Sequence, residues 1–111
     1  MASTYKVLGQ ASPSANTDTN LYVVPVSKSV VISTLTICNR NTSNGTSMFR
    51  IAIVPNGETL SNKHYIAYEQ FIDSRKSIDK TLGLSLAAGD TVVVRSDTTD
   101  LSFSLFGAEI S

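Results

Sequence analysis

Leu101-Ser102-Phe103-Ser104-Leu105 decides the fold class. Large apolar residues alternate with serines at a strict period of two, the pattern of a strand with one face in a core and the other in water. The same signal recurs outward from it. Residues 91–95 (Thr91 to Arg95) read as a strand, bounded by turns at Ala88-Gly89-Asp90 and Asp97-Thr98-Thr99-Asp100. Ile78, Lys80, Leu82 and Leu84 continue another, weakened locally at Gly83. Met48 to Val54 points Phe49, Ile51 and Ile53 to one side. Val30 to Asn39 places Val31, Leu35 and Ile37 on one face, and the turn Asn41-Thr42-Ser43-Asn44-Gly45-Thr46 joins these two segments in what reads as a hairpin. Nearer the N-terminus, 4–9 and 21–24 are short strands around a polar loop at 10–19 that contains Pro13, and Pro25 ends the second or places it at an edge.

The middle of the chain is less regular. Leu60 to His64 holds a short helical turn or a loop after the turn Pro55-Asn56-Gly57. Tyr65 to Ile72 reads as a strand with apolar residues on both faces, followed by the charged turn Asp73-Ser74-Arg75-Lys76. A two-sheet sandwich covers only one face of each strand, so burial of both faces suits a strand covered by a neighbouring subunit. No stretch keeps a helical period over about 11 residues. The sum is an all-β chain of about seven to eight strands, an antiparallel β-sandwich of jelly-roll-like or Ig-like type. With 111 residues, no internal repeat and no linker, residues 1–111 form a single domain.

Composition narrows the function classes. The chain is 41% hydrophobic and 16% charged, so it is not of the disordered type. Nine basic residues balance nine acidic ones, for a formal net charge of zero. Binders of duplex nucleic acid or of anionic membranes carry a basic excess, so neither partner is expected. A near-zero net charge also does little to keep copies apart. The N-terminus lacks the basic segment and apolar run of a secretory signal, and the longest apolar runs fall far short of a membrane helix. The expectation is a chain made in a cytoplasm and kept there or released by lysis.

Residues that could carry chemistry are few. Cys38 is the one cysteine, so no intrachain disulfide forms, and its strand context reads as a small apolar filler of the core. His64 is the one histidine. It has no Gly-x-Ser-x-Gly elbow to serve, and with Cys38 it would still lack two recognisable zinc ligands. The acidic residues fall singly and mostly in turns, where they bond the local backbone. The spacing of Asp97 and Asp100 lacks the further ligands of a calcium loop. The six glycines never cluster into a phosphate cradle. Tyr65 and Tyr68 are three apart, which in a regular strand puts them on opposite faces and denies them a common stacking platform. The expectation is no catalytic residue, no metal and no cofactor.

Several segments taken together carry a family likeness: Tyr5-Lys6-Val7-Leu8-Gly9-Gln10, Leu21-Tyr22-Val23-Val24-Pro25, Ile37-Cys38-Asn39-Arg40, Ser61-Asn62-Lys63-His64-Tyr65-Ile66-Ala67-Tyr68, Leu82-Gly83-Leu84 with Ala88-Gly89-Asp90, and Leu101 through Ile110. The chain resembles a group of small β-rich virion structural proteins of tailed bacteriophages. The likeness spans most of the chain and rests on structural segments. It implies a particle component of head, neck or tail, and it transfers no active site. The expected localisation is the virion, after synthesis in the host cytoplasm.

The leading expectation is therefore a virion building block. It would associate with itself as a symmetric oligomer and dock on neck, tail or capsid proteins. The candidate interface is His64, Tyr65, Ile66, Tyr68 and Phe71. A second reading is a carbohydrate- or receptor-binding module of a tail fibre, with Tyr22, Tyr65 and Tyr68 as its aromatic anchors. A third is a small hydrolase using His64.

Overall fold

A computed structural model describes residues 3–111. Among the described residues eight strands succeed one another: β1 Ser3–Ala11, β2 Thr19–Val23, β3 Ser29–Asn39, β4 Ser47–Val54, β5 Tyr65–Ile72, β6 Ser77–Leu86, β7 Thr91–Ser96 and β8 Leu101–Ile110. A 3-10 turn, Asn62–His64, precedes β5. The strands form two four-stranded sheets in the orders β1-β8-β3-β6 and β2-β7-β4-β5, with every pairing antiparallel. Every connection but β4–β5 crosses from one sheet to the other. This interleaving is the jelly roll rather than the immunoglobulin order, in which the first strand pairs with the second.

The expected hairpin between 30–39 and 48–54 does not form, because β3 and β4 lie in opposite sheets. Alternation alone does not separate the two cases: each strand buries one face whether its neighbour is beside it or across from it. The crossing is held by polar side chains, one of them buried. The Asn39 amide lies fully inside and donates to the carbonyls of Gly45 and Ile72 at 3.1 and 2.9 Å. The Asn41 carbonyl oxygen accepts from the amides of Ser43 and Gly45, and its amide nitrogen donates to Asp100.

The core lies between the sheets. Leu101, Phe103 and Leu105 of β8 and Phe49 and Ile51 of β4 are at most 1% exposed. The rings of Phe49 and Phe103 meet edge to face, 6.4 Å apart. On β3 a bulge between Ile32 and Thr34 breaks the alternation. Val30, Ile32, Leu35 and Ile37 point inward, and Val31, expected on the face of Leu35 and Ile37, points outward and is 39% exposed. Cys38 also departs from expectation. It is half-buried on β3 between Ser77 and Ser102, alternating with the core residue Ile37.

One end of the core closes on a polar cluster. Glu109 is buried, with one carboxylate oxygen accepting from the Tyr22 hydroxyl at 2.6 Å and the other from Lys6 and Lys28 at 3.3 and 3.4 Å. The Tyr22 bond, and next the lysines, hold the Glu109 carboxyl below the ordinary glutamate range against its burial. Burial, then the bond to Glu109, pushes the Tyr22 phenol well above its usual value.

Candidate functional site: an aromatic ridge and an apolar groove

β5 is an edge strand, and two irregularities against β4 govern where its side chains go. Tyr65 pairs with Ala52, while Ala67 pairs with Ile51, so Ile66 is an extra residue on β5. Ala52 belongs to a small apolar cluster on the outer face with Val54 and Val93, and Tyr65 packs against it. Ala67 turns into the core. The inserted residue changes the phase, and Tyr68 emerges on the same outer face as Tyr65. Their rings lie edge to face with centroids 4.9 Å apart. The opposite faces expected from their odd spacing therefore do not occur. The register of a regular strand is the premise that fails.

The second irregularity lies between Ala67 and Gln70, which pair with Ile51 and Phe49. Glu69 adopts φ +51°, a conformation rare for a residue with a long side chain. There its carboxylate accepts a hydrogen bond from the Arg50 guanidinium, which raises the Arg50 pKa further. The same guanidinium lies 4.4 Å from the Tyr68 ring centre and 5.9 Å from that of Tyr65. Phe71, opposite Met48, points outward again, and Ile72 returns to the core. The outcome is a ridge on one flank of the sandwich. Ile66 is 46% exposed, Tyr68 53% and Phe71 69%, with Tyr65 half-buried between them and the sheet.

His64 is not part of the exposed ridge. It is buried, its Nδ1 accepts from the Ser61 amide at 3.0 Å, and its Nε2 lies 3.0 Å from a Glu58 carboxylate oxygen. The bond from His64, with a second from Lys63, holds the Glu58 carboxyl below the usual range. The histidine thus closes the 58–64 loop on itself, immediately before β5. Tyr22 is buried on Glu109 and cannot join Tyr65 and Tyr68 in a surface groove.

A second surface was not anticipated from the sequence. On the outer face of the β1-β8-β3 sheet, Tyr5, Val7, Val31, Phe106, Ala108 and Ile110 line an open groove of about 570 Å³. Register explains it: Tyr5 and Val31 flank Ala108 from the two sides, and Val7 lies opposite Phe106. Tyr5 is 85% exposed. A signal was present in β8. Its alternate positions read Ser102 and Ser104, then Phe106, Ala108 and Ile110. The water-facing side turns apolar half-way along the strand. Among the described residues, no group of three or more His, Cys, Asp or Glu stands close enough to hold a metal ion, and no helix is long and apolar enough to cross a membrane.

No family model matches this chain, and no curated protein matches it. Among solved structures it is similar to a pentameric capsid protein isolated from metagenomic phage sequences, at 17% identity and a TM-score of 0.32. The match covers 95% of this chain and 62% of that one. A TM-score this low leaves the functional reading to the chain's own surfaces.

Proposed function

We propose that this protein is a structural subunit of a bacteriophage virion, working by self-association and by docking on neck, tail or capsid proteins. The observation that carries the reading is the pair of apolar surfaces. Six of the large apolar side chains that the fold leaves in water gather on two faces: Tyr5, Val7 and Val31 on one, Ile66, Tyr68 and Phe71 on the other. Single exposed apolar residues are ordinary, but grouped ones mark contact surfaces. A jelly roll is a scaffold used by capsid and lectin domains alike, so the fold by itself does not choose between them. The sequence resemblance to tailed-phage virion proteins supports a virion setting.

The contact would centre on Tyr65, Ile66, Tyr68 and Phe71, with the buried His64 just before them in the chain. Tyrosine is enriched at the energetic centres of interfaces, and a stable specific contact buries at least about 1,000 Å² in total. The test is sedimentation of the purified protein, together with a cryo-EM map of the intact particle. An oligomer that Tyr68→Asp reduces to a folded monomer is the expected result. Copies that touch neither one another nor any other virion protein through residues 64–72 would sink the reading.

A second reading, a saccharide-binding module, is favoured by one observation: Tyr65, Tyr68 and Arg50 share one outer face. Titrating purified host-surface oligosaccharides while following the tyrosine NMR signals separates the two. Saturable shifts confined to Tyr65 and Tyr68 would favour the module.

A further inference from the structure

We infer that two copies join edge to edge through β1, strand against strand, across a two-fold axis at Tyr5. This contact goes beyond the one proposed above and does not depend on β5. A sheet edge carries a row of unpaired N–H and C=O groups, and folded proteins guard their edges against stray pairing. Three of the four edges here are guarded. β5 is broken by its two bulges. β6 has the positive-φ Gly83 beside a register shift, and it turns Lys80 inward over the Phe49 ring. β2 is short, irregular between Asn20 and Tyr22, and approached closely by β1 where Gly9 meets Leu21. The first half of β1 has none of these devices. Ser3 to Val7 pair with Ile110 to Phe106 without interruption, and the shift comes only after Val7. Every residue from Ser3 to Val7 is exposed. Among the described residues, no strand or turn bonds the other side of this backbone. Its one charged side chain, Lys6, is drawn to Glu109.

The chemistry of that edge selects an extended strand, which completes the hydrogen bonds by β-augmentation. The side chains select a second copy of the same strand. An antiparallel pairing centred on Tyr5 sets Tyr5 opposite Tyr5, Ser3 opposite Val7 and Thr4 opposite Lys6, so no like charges meet. Opposed aromatic side chains stabilise an antiparallel pair, and Tyr5 is 85% exposed in the single chain. Centred on Lys6, the pairing would set lysine against lysine, which is destabilising. The result is one continuous sheet, β6-β3-β8-β1 followed by the same strands in reverse from the second copy. Ser3, Tyr5 and Val7 share a face, so the two apolar grooves become neighbours on that sheet. A two-fold contact of this kind is closed and leaves β5 free.

The test is cysteine cross-linking in a Cys38→Ser background. Opposite residues of an antiparallel pair hold their Cβ atoms about 4.5–5.5 Å apart, within a small shift of disulfide geometry. Tyr5→Cys, Ser3→Cys and Val7→Cys are compared for their rate of oxidation to twice the 11.9 kDa monomer mass. Ser43→Cys, exposed in the turn after β3, reports random collision. Tyr5→Cys is expected to react about tenfold faster than Ser43→Cys or more, because pairing holds the two thiols at reacting distance. Ser3→Cys and Val7→Cys are each expected to react alone no faster than Ser43→Cys, and to cross-link to one another when mixed. If Tyr5→Cys melts unlike wild type, that mixture carries the test. Adding Tyr68→Asp is expected to leave these rates unchanged, which separates this contact from the one at β5. Tyr5→Cys reacting no faster than Ser43→Cys overturns the inference, and is the outcome if a different chain covers this edge. Ser3→Cys reacting alone as fast as the mixture means another register and overturns it. A cross-link lost with Tyr68→Asp is a by-product of the β5 contact and overturns it too.

Discussion

Phe103 sits between the sheets at 1% exposure, with Phe49 edge-on to its ring. Phe103→Ala removes that contact and leaves a cavity that the paired sheets cannot close. It should cost about 3–5 kcal/mol, read from urea unfolding. The Tyr22–Glu109 bond is the second residue-scale determinant. A hydrogen bond to a charged partner contributes about 1.5–3 kcal/mol, so Tyr22→Phe should lose stability in that range at neutral pH. Glu109 sets the sign with pH. Its folded-state pKa lies below the ordinary 4.5, so its contribution is present above that value and lost as pH falls through the folded-state one. Urea midpoints should therefore fall below about pH 4.5, and Glu109→Gln should flatten that fall. An equally steep acid loss in the variant would contradict the assignment. At this scale the sequence was legible for core residues such as Phe103, whose neighbours alternate cleanly. For Cys38 its position was legible, since alternation with Ile37 puts it on the outer face, while its small apolar side chain argued for the core.

Elements depart from regular geometry where backbones come close. A Cβ added at Gly9 would stand 2.2 Å from the Leu21 carbonyl oxygen, so β1 and β2 approach one another only because this residue has no side chain. Gly9→Ala should force the strands apart at a cost of about 1–3 kcal/mol, seen as a lowered urea midpoint. An unchanged midpoint would mean that β1 shifts freely. Strand positions were largely readable, and residues 65–72 match β5 end to end. Facing was not readable where a bulge intervenes. Ile66 and Glu69 on β5 and Ser33 on β3 each change the phase of the residues C-terminal to them. Nothing in their own side chains announces this. A bulge is a property of two paired strands, and the register of that pair is set only when the strands meet.

For the whole molecule, the pairings join distant segments: β1 with β8, β3 with β8, β2 with β7. Loop closure must then precede most of the stabilising contacts, which places folding in the millisecond-to-second range. Stopped-flow refolding monitored by tyrosine fluorescence should show relaxation on that scale, and completion within microseconds would contradict it. The same topology separates what the chain determines locally from what only assembly in space decides. Alternation in segments such as 48–54 and 101–105 reports which side chains must leave water, because that requirement acts residue by residue at a period of two. It established an all-β sandwich and most of its core. The jelly-roll order, the shared face of Tyr65 and Tyr68 and the groove at Tyr5, Val31 and Phe106 arise from pairing between strands. Hydrophobic burial is non-directional, so it selects an inner face without selecting a neighbour. The neighbour is chosen by register, bulges and buried amides such as Asn39, which act only once the sheets have come together.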